Sequence, residues 1–314
     1  MIPAVSAATG GGAAGTLPYL WIVAGQSGEL YTSTSTSLAN GSWTSRTSSF
    51  STTLINAVAS NTSDLYVAVG ESGKLATSPD GTTWTQRTSS FGTNHINDVA
   101  YGNGYWVAVG NSPTKVAYST DGINWTQKTT GIGGNVVKVA WGNGLWIIAD
   151  DALGFYTATD PTGTWTSRTS TLSTVNDLVY FKGQSIWVGG NDSGTTGAFA
   201  SSTDGATWTA RTSAITIGSG GFAYFAANTT VIAALCQTGT LTVDIESSTN
   251  GTTWTDRTPA TTSGIPYFGM SDNNGLLVFS GFQTSTDGIT WSTRTQPSGN
   301  IICGCHSSGT PSLR

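Results

Sequence analysis

Hydrophobic residues along this chain fall in short runs separated by polar turn residues, and one stretch shows the unit. Between Leu54 and Thr88 the runs are "LINAVAS" (54–60), "LYVAVG" (65–70), "KLATS" (74–78) and "TTWTQRT" (82–88), divided by "NTSD", "ESG" and "PDG". Runs of this length, alternating or wholly apolar and bounded by Gly, Asn, Asp and Pro, predict β-strands joined by tight turns. They are labelled A to D in chain order. The next stretch, "NDVAYGNGYWVAVGNSPTKVAYSTDGINWTQKT", reads the same way.

The unit recurs. The phrase Trp-Thr/Ser-x-Arg/Lys-Thr stands at Trp43, Trp84, Trp125, Trp165, Trp208, Trp254 and Trp291, at spacings of 41, 41, 40, 43, 46 and 37 residues. A period near this length with four strands per repeat is the signature of a β-propeller blade. The C–D connections carry Asp80-Gly81, Asp121-Gly122, Asp204-Gly205, Asn250-Gly251 and Asp287-Gly288. Such pairs predict two-residue type I′ hairpins and mark Asp80, Asp121, Asp204, Asn250 and Asp287 as structural turn residues. The strand D tryptophans are expected to fill the wedge that widens between blades. Ala57, Ala59, Ala100 and Ala140 on strand A suit the crowded axis.

The two ends predict how the ring closes. The N-terminal region begins at a strand B, "YLWIVAG" (19–25), with no strand A before it. The C-terminal region holds an orphan strand A, "NIICGCH" (300–306). Pairing them completes one blade and leaves no free edge in the ring. The expected fold is therefore all-β: a seven-bladed β-propeller of four-stranded antiparallel blades over residues 18–306. Residues 1–17 read as a flexible N-terminal arm and 307–314 as a C-terminal tail.

Composition narrows the function classes. Charged residues are 9% of the 314, against about 25% in ordinary soluble domains, which disfavours long amphipathic helices. With 12 Lys and Arg against 17 Asp and Glu, the net charge of −5 offers no basic footprint for nucleic acid or an anionic membrane. No apolar run is long enough to insert in a membrane as a helix. Cys303 and Cys305 fall on one face of a strand and, with Cys236, read as small buried hydrophobes. Two histidines, His95 and His306, are too few for a histidine-based metal site. No metal or cofactor is expected.

"S-x-D-G-x-x-W" resembles the Asp-box (BNR) repeat of sialidase-like propellers, which reads S-x-D-x-G-x-T-W. Only the fourth repeat, "TDPTGTW", keeps that longer turn. In that family the box is a structural turn remote from the active site, so the resemblance implies fold and not activity. The whole chain is also similar to the Ser/Thr/Gly-rich, Trp-punctuated propellers of bacteriophage virion proteins, in tails, fibres and capsid decoration. That resemblance implies a virion location, docking on other virion proteins through the N-terminal arm, and attachment to host surface glycans or a receptor. An oligomer of the chain is compatible with it, and an extracellular location is the alternative.

Candidate chemistry is sparse. Sialidases clamp a carboxylate with three axial arginines. Here Arg46, Arg87, Lys128, Arg168, Arg211, Arg257 and Arg294 all occupy one strand D position on the rim, where contacts to carboxylates or carbonyls of a neighbouring turn are expected. Eleven of the 12 tryptophans fall at repeated positions of strands B and D, which blade packing explains. Glu71, His95, Asp98, Asp150, Asp151, Asp177 and Asp192 fall in or near loops on one face of the disc and are the candidate binding residues. Asp98 and Asp177 are the strongest of them, as a sugar- or cation-binding ring near the channel mouth. The alternative is that they cap backbone where strand A begins. A pair of carboxylates would serve a glycoside hydrolase, so three readings stand: a non-enzymatic surface propeller, a secreted glycan-active hydrolase, and a scaffold without ligand.

Overall fold

The structure is a computed structural model. It describes residues 20–35, 37, 38, 43–61, 63, 65–111, 116–151, 154–169, 171, 172, 175–190, 199–217, 223–238, 242–257, 269–271, 275–279, 282–298 and 301–306. The proposed arm (1–17) and tail (307–314) lie outside these residues.

Seven antiparallel sheets of four strands each make up the chain, every one in the order A-B-C-D from axis to rim. Blade 2 has Ile55–Ser60, Tyr66–Gly70, Leu75–Ser78 and Thr85–Arg87. The inner strands of blades 3 to 7 are Ile96–Gly102, Val136–Gly142, Asp177–Phe181, Ala223–Ala227 and Gly269–Ser271. Blade 1 closes the ring from both ends of the chain: Ile301–His306 pairs with Trp21–Gly25, setting Trp21 opposite His306 and Ala24 opposite Cys303. A bulge leaves Ile302 unpaired there. The inner strands of blades 2, 3 and 4 carry the same irregularity at Asn56, Asn97 and Val137.

The core lies between blades. Seven apolar clusters each join two neighbours. Trp21, Tyr66, Trp106, Trp146 and Trp187 of strand B are fully buried. The strand D tryptophans fill the wedge against the preceding blade. Trp208 stacks on Phe155 at 4.2 Å between ring centroids, with 8° between the planes. The axis is not lined by small residues alone. Trp141 and Tyr180 sit on inner strands because Gly102 and Gly142 of the preceding blade admit them: a Cβ at Gly102 would stand 2.1 Å from Trp141 Cγ, and one at Gly142 2.3 Å from Tyr180 Cγ.

Two local expectations are corrected. The C–D connections are not type I′ turns, because that turn needs positive φ at both central residues. Gly81 adopts φ +73 while Asp80 stays at negative φ, as do its counterparts. The chain instead wraps the aspartate. Asp80 Oδ1 accepts from Thr82 N at 2.8 Å, Thr83 N at 2.9 Å and Ser78 Oγ at 3.0 Å. Ser78 Oγ accepts from Gly81 N, and Trp84 Nε1 donates to Gly81 O. The side-chain wrap recurs at Asp121, Asp204, Asn250 and Asp287, and the indole bond at Trp125 and Trp208. Glycine is required twice over, since a Cβ at Gly122 would also lie 2.5 Å from Leu65 of the preceding blade.

The strand D arginines also differ from expectation. Each bonds within its own blade, Nε donating to a strand C hydroxyl: Arg46 to Thr32, Arg87 to Thr77, Arg168 to Thr157, Arg211 to Ser201, Arg257 to Ser247 and Arg294 to Thr284. Antiparallel pairing sets each arginine diagonal to the hydroxyl on the same face, as Arg87 stands opposite Leu75 and Thr77 opposite Thr85, so the long side chain reaches it within its own blade. Lys128 alone behaves as expected, donating to the carbonyl of Thr162 across the seam.

Candidate functional site

The candidate residues lie where B–C turns and D–A crossovers share one face. Glu71 opens a short 3-10 turn after strand B of blade 2, and His95 precedes strand A of blade 3. Their side chains meet across the blade seam, Glu71 Oε1 to His95 Nδ1 at 3.6 Å, both about half exposed.

The aspartates are tied to backbone. Asp98 is fully buried; Oδ1 accepts from its neighbour Val99 N at 2.9 Å, and Oδ2 from Val139 N of blade 4 at 3.2 Å. Asp177 Oδ2 accepts from Phe225 N of blade 6 at 2.8 Å, while Oδ1 lies 3.8 Å from Lys138 Nζ of blade 4. Each of these carboxylates therefore joins the inner strand of its own blade to that of the next. Asn56 and Asn97 complete the pattern, their side-chain amides donating to Ile96 O and Val136 O. The structure ties Asp98 and Asp177 to different seams.

Asp150 closes the loop after strand B of blade 4, and Asp151 ties it to the crossover before strand A. Asp150 is buried and accepts from Gly154 N at 2.6 Å and Tyr156 Oη at 3.2 Å. Burial and the Asp150 charge raise the Tyr156 phenol above its ordinary range. Asp151 pairs with Asn135, accepting from its backbone N–H at 2.8 Å and its side-chain amide at 2.9 Å. Asp192 lies outside the described residues. Among the described residues no three His, Cys, Asp or Glu side chains group as a metal site, and no helix is long and apolar enough to cross a membrane.

Two further features lie apart from these candidates. Glu246 of strand C in blade 6 is fully buried where Ala76, Ala117 and Ala200 stand in other blades. Its Oε1 lies 2.5 Å from Ser213 Oγ and 3.4 Å from Cys236 Sγ, and Oε2 accepts from Ala214 N at 2.7 Å. Ser213 Oγ also lies 2.7 Å from Ile215 O. A hydroxyl has one proton, so when it goes to Ile215 the carboxyl must supply the other. Burial raises the Glu246 carboxyl above its usual range, against the lowering by its hydrogen bonds, and the nearby Asp256 adds to the rise. The Cys236 thiol is pushed up by burial and by Glu246.

The second feature is a pair of clefts on the rim. One, of about 360 Å³, lies between blades 3 and 4 and includes Lys128, Tyr156 and Trp165 in its walls. The other, of about 260 Å³, lies between blades 6 and 7 beside Arg257 and Asp287. Reading for common residues passes over both Glu246 and these clefts. The signal was the exceptions: Glu for Ala, Lys for Arg, and a longer turn at 159–164.

No protein-family model and no curated protein sequence matches the chain. Solved structures do. A protein from Lactobacillus plantarum is 12% identical with a TM-score of 0.64, covering 91% of this chain and 98% of its own. YCF48, solved bound to the D1 peptide, is 16% identical with a TM-score of 0.51, covering 73% of this chain and 78% of its own. The GH74 enzyme of Niastella koreensis is 16% identical with a TM-score of 0.50, and the match spans 88% of this chain and 43% of the enzyme. At such identities the likeness is one of β-propeller fold.

Proposed function

We propose that the chain is a non-enzymatic display propeller, carried on a virion surface and used for attachment to host surface glycans or a receptor, or for decoration of the particle. The observation that carries this reading is the engagement of the candidate carboxylates. Asp98 and Asp177 each hold the backbone of a neighbouring blade, Asp150 holds its own loop and Asp151 holds Asn135 of the adjoining crossover. A general acid needs a carboxyl facing substrate, and the buried Asp98, Asp150 and Asp177 face protein. What is left for function is a rigid disc with exposed loops and rim clefts.

The resemblance to phage propellers supports the location. The wrapped Ser-x-Asp-Gly turns support the Asp-box likeness, since the aspartate oxygen is taken up by the turn's own N–H groups and serine hydroxyl. On this reading the arm at 1–17 docks on other virion proteins, no cofactor is needed, and a homo-oligomer would be set by that docking. Immuno-electron microscopy on particles that carry the chain tests the reading. Surface labelling, with antibody against the disc blocking adsorption to cells, is expected. Particles without label, or adsorption untouched by antibody while labelled glycans are hydrolysed, would count decisively against it. Removing residues 1–17 should release the disc from the particle.

A further inference from the structure

In a repeat protein the features shared by all blades serve the ring. Departures that converge on one place need another account, and four converge between blades 3 and 4. Position 128 is Lys where the other six blades have Arg, and its strand C neighbour is Tyr118 where the others have Thr or Ser. The arginine–hydroxyl bond of the scaffold is thus absent, and Lys128 Nζ instead reaches Thr162 O of the facing turn. That turn is one residue longer than those around it and begins at Ala158, where the others place the serine of the wrap. Tyr156, like Tyr31 of blade 1, puts an aromatic ring where Ala76, Ala117 and Ala200 stand. Trp165 is partly exposed, as are Trp43 and Trp291, whereas Trp84, Trp125, Trp208 and Trp254 are buried.

We propose that this rim cleft binds a neutral saccharide, one pyranose ring lying on the indole of Trp165 with its hydroxyls on Lys128 and the surrounding threonines. This rests on the attachment reading and gives it a site. A pyranose has an apolar C–H face and a rim of hydroxyls. The cleft offers the matching pair: an aromatic plate held among apolar residues of the seam, including Val116 and Ile132, and a polar edge of Lys128, Thr130, Thr164 and Ser167. Its volume of about 360 Å³ sits at the lower end of small-molecule sites, about 300–1,000 Å³. It opens on the rim, so a longer glycan can run off the disc. The ligand is neutral because the one charged side chain in the cleft lining, Lys128, is already engaged with the carbonyl of Thr162. The ammonium keeps protons to donate after its bond to Thr162.

The test is saturation-transfer NMR of the full chain with methyl glycosides of glucose, galactose, mannose and N-acetylglucosamine, and methyl glucuronide as the anionic comparison. At least one neutral glycoside is expected to bind. Trp165→Ala should weaken it about tenfold or more, and Lys128→Met about three- to tenfold, as expected for loss of the platform and of one hydrogen bond. Gly131→Phe guards against loss of folding. Gly131 is exposed at the cleft wall, and a Cβ there meets nothing within 4 Å; the added ring should block the cleft and leave the melting curve unchanged. Arg211→Ala should bind as the parent does. Binding that survives both Trp165→Ala and Gly131→Phe places the sugar elsewhere and overturns the cleft while leaving attachment intact. Binding of the glucuronide alone overturns the neutral assignment. Antibody-blockable adsorption without any glycoside binding overturns the saccharide, whereas absence of such adsorption overturns the attachment reading itself.

Discussion

Asn250 does in blade 6 what aspartate does in four other blades, and the comparison isolates the charge. Its Oδ1 accepts from Thr252 N and Thr253 N at 2.8 Å, as Asp287 Oδ1 does from Ile289 N and Thr290 N. The Asp287 carboxyl is held down at about 2, chiefly by the bonds from Thr290 and Ile289. Asp204 is lowered by Thr207 and Ala206, and Asp160 by Thr162. In Asp80 and Asp121 burial acts upward but the turn hydrogen bonds outweigh it, and both end below the ordinary value of 3.8. A depressed folded value means stability that is present above about pH 3.8 and lost as pH falls toward the folded value. Replacing Asp80, Asp121, Asp204 and Asp287 together with Asn, which like the protonated acid carries no charge, should therefore flatten the loss of stability with falling pH, followed by circular dichroism, by lowering the pH 7 melting temperature modestly toward its low-pH value. Glu246 runs the other way. Its folded value is raised, so stability is greatest at low pH and falls as pH rises from the ordinary 4.5 through the folded value. Glu246→Gln keeps an acceptor for Ala214 N and supplies a donor to Ser213. It should raise the melting temperature at pH 7 and flatten that slope, whereas Glu246→Ala strands both partners at a cost of about 1–3 kcal/mol.

At the scale of elements, strands were legible in the sequence because each carries its own signal in residue type and period. The run 65–70 forms Tyr66–Gly70 and the run 54–60 forms Ile55–Ser60. The C–D turn was legible in place and not in shape. Asp-Gly marks a reversal under several geometries, and only the serine two residues earlier, with the tryptophan four residues after the aspartate, selects the wrapped form. The arginine partners were hidden for a related reason: pairing across strands C and D depends on register, which the turn shape sets. Gly122 tests the turn geometry. Gly122→Ala forces a side chain into positive φ and against Leu65 and Trp106, so a loss of about 1–3 kcal/mol is expected in urea unfolding. Arg211→Ala, which only removes the bond to Ser201 and the packing of its stem, should cost about 0.5–1.5 kcal/mol.

For the whole molecule, closure was legible and the candidate site was not. A missing strand A at one end and a spare one at the other leave a single way to complete seven sheets. The carboxylates looked alike in sequence, yet whether one faces solvent or a neighbour's N–H depends on how blades abut, which no local pattern records. Closure itself has a measurable consequence. The strand Ile301–His306 brings Ile301, Cys303 and Cys305, all buried, against Trp21–Gly25 and the seams to blades 2 and 7. Blade 1 is held to blade 7 from the other side as well, by Trp43 Nε1 on Thr295 O and by Trp43 packed edge-on to Phe282. Deleting residues 301–314 removes the inner strand and leaves the backbone edge of Trp21–Gly25 open at the axis. Three buried side chains at about 1.5–3 kcal/mol each put the loss at about 5 kcal/mol or more, and the bare edge is a template for another chain. The truncated protein should melt well below the parent and elute as a self-associated species. Adding a peptide of sequence 300–306 in excess should restore both the monomer and the melting temperature, since a ligand that binds only the folded ring stabilises it by mass action. A truncated chain that stays monomeric and melts with the parent would mean that the ring is locked by its rim contacts and not by its inner strand.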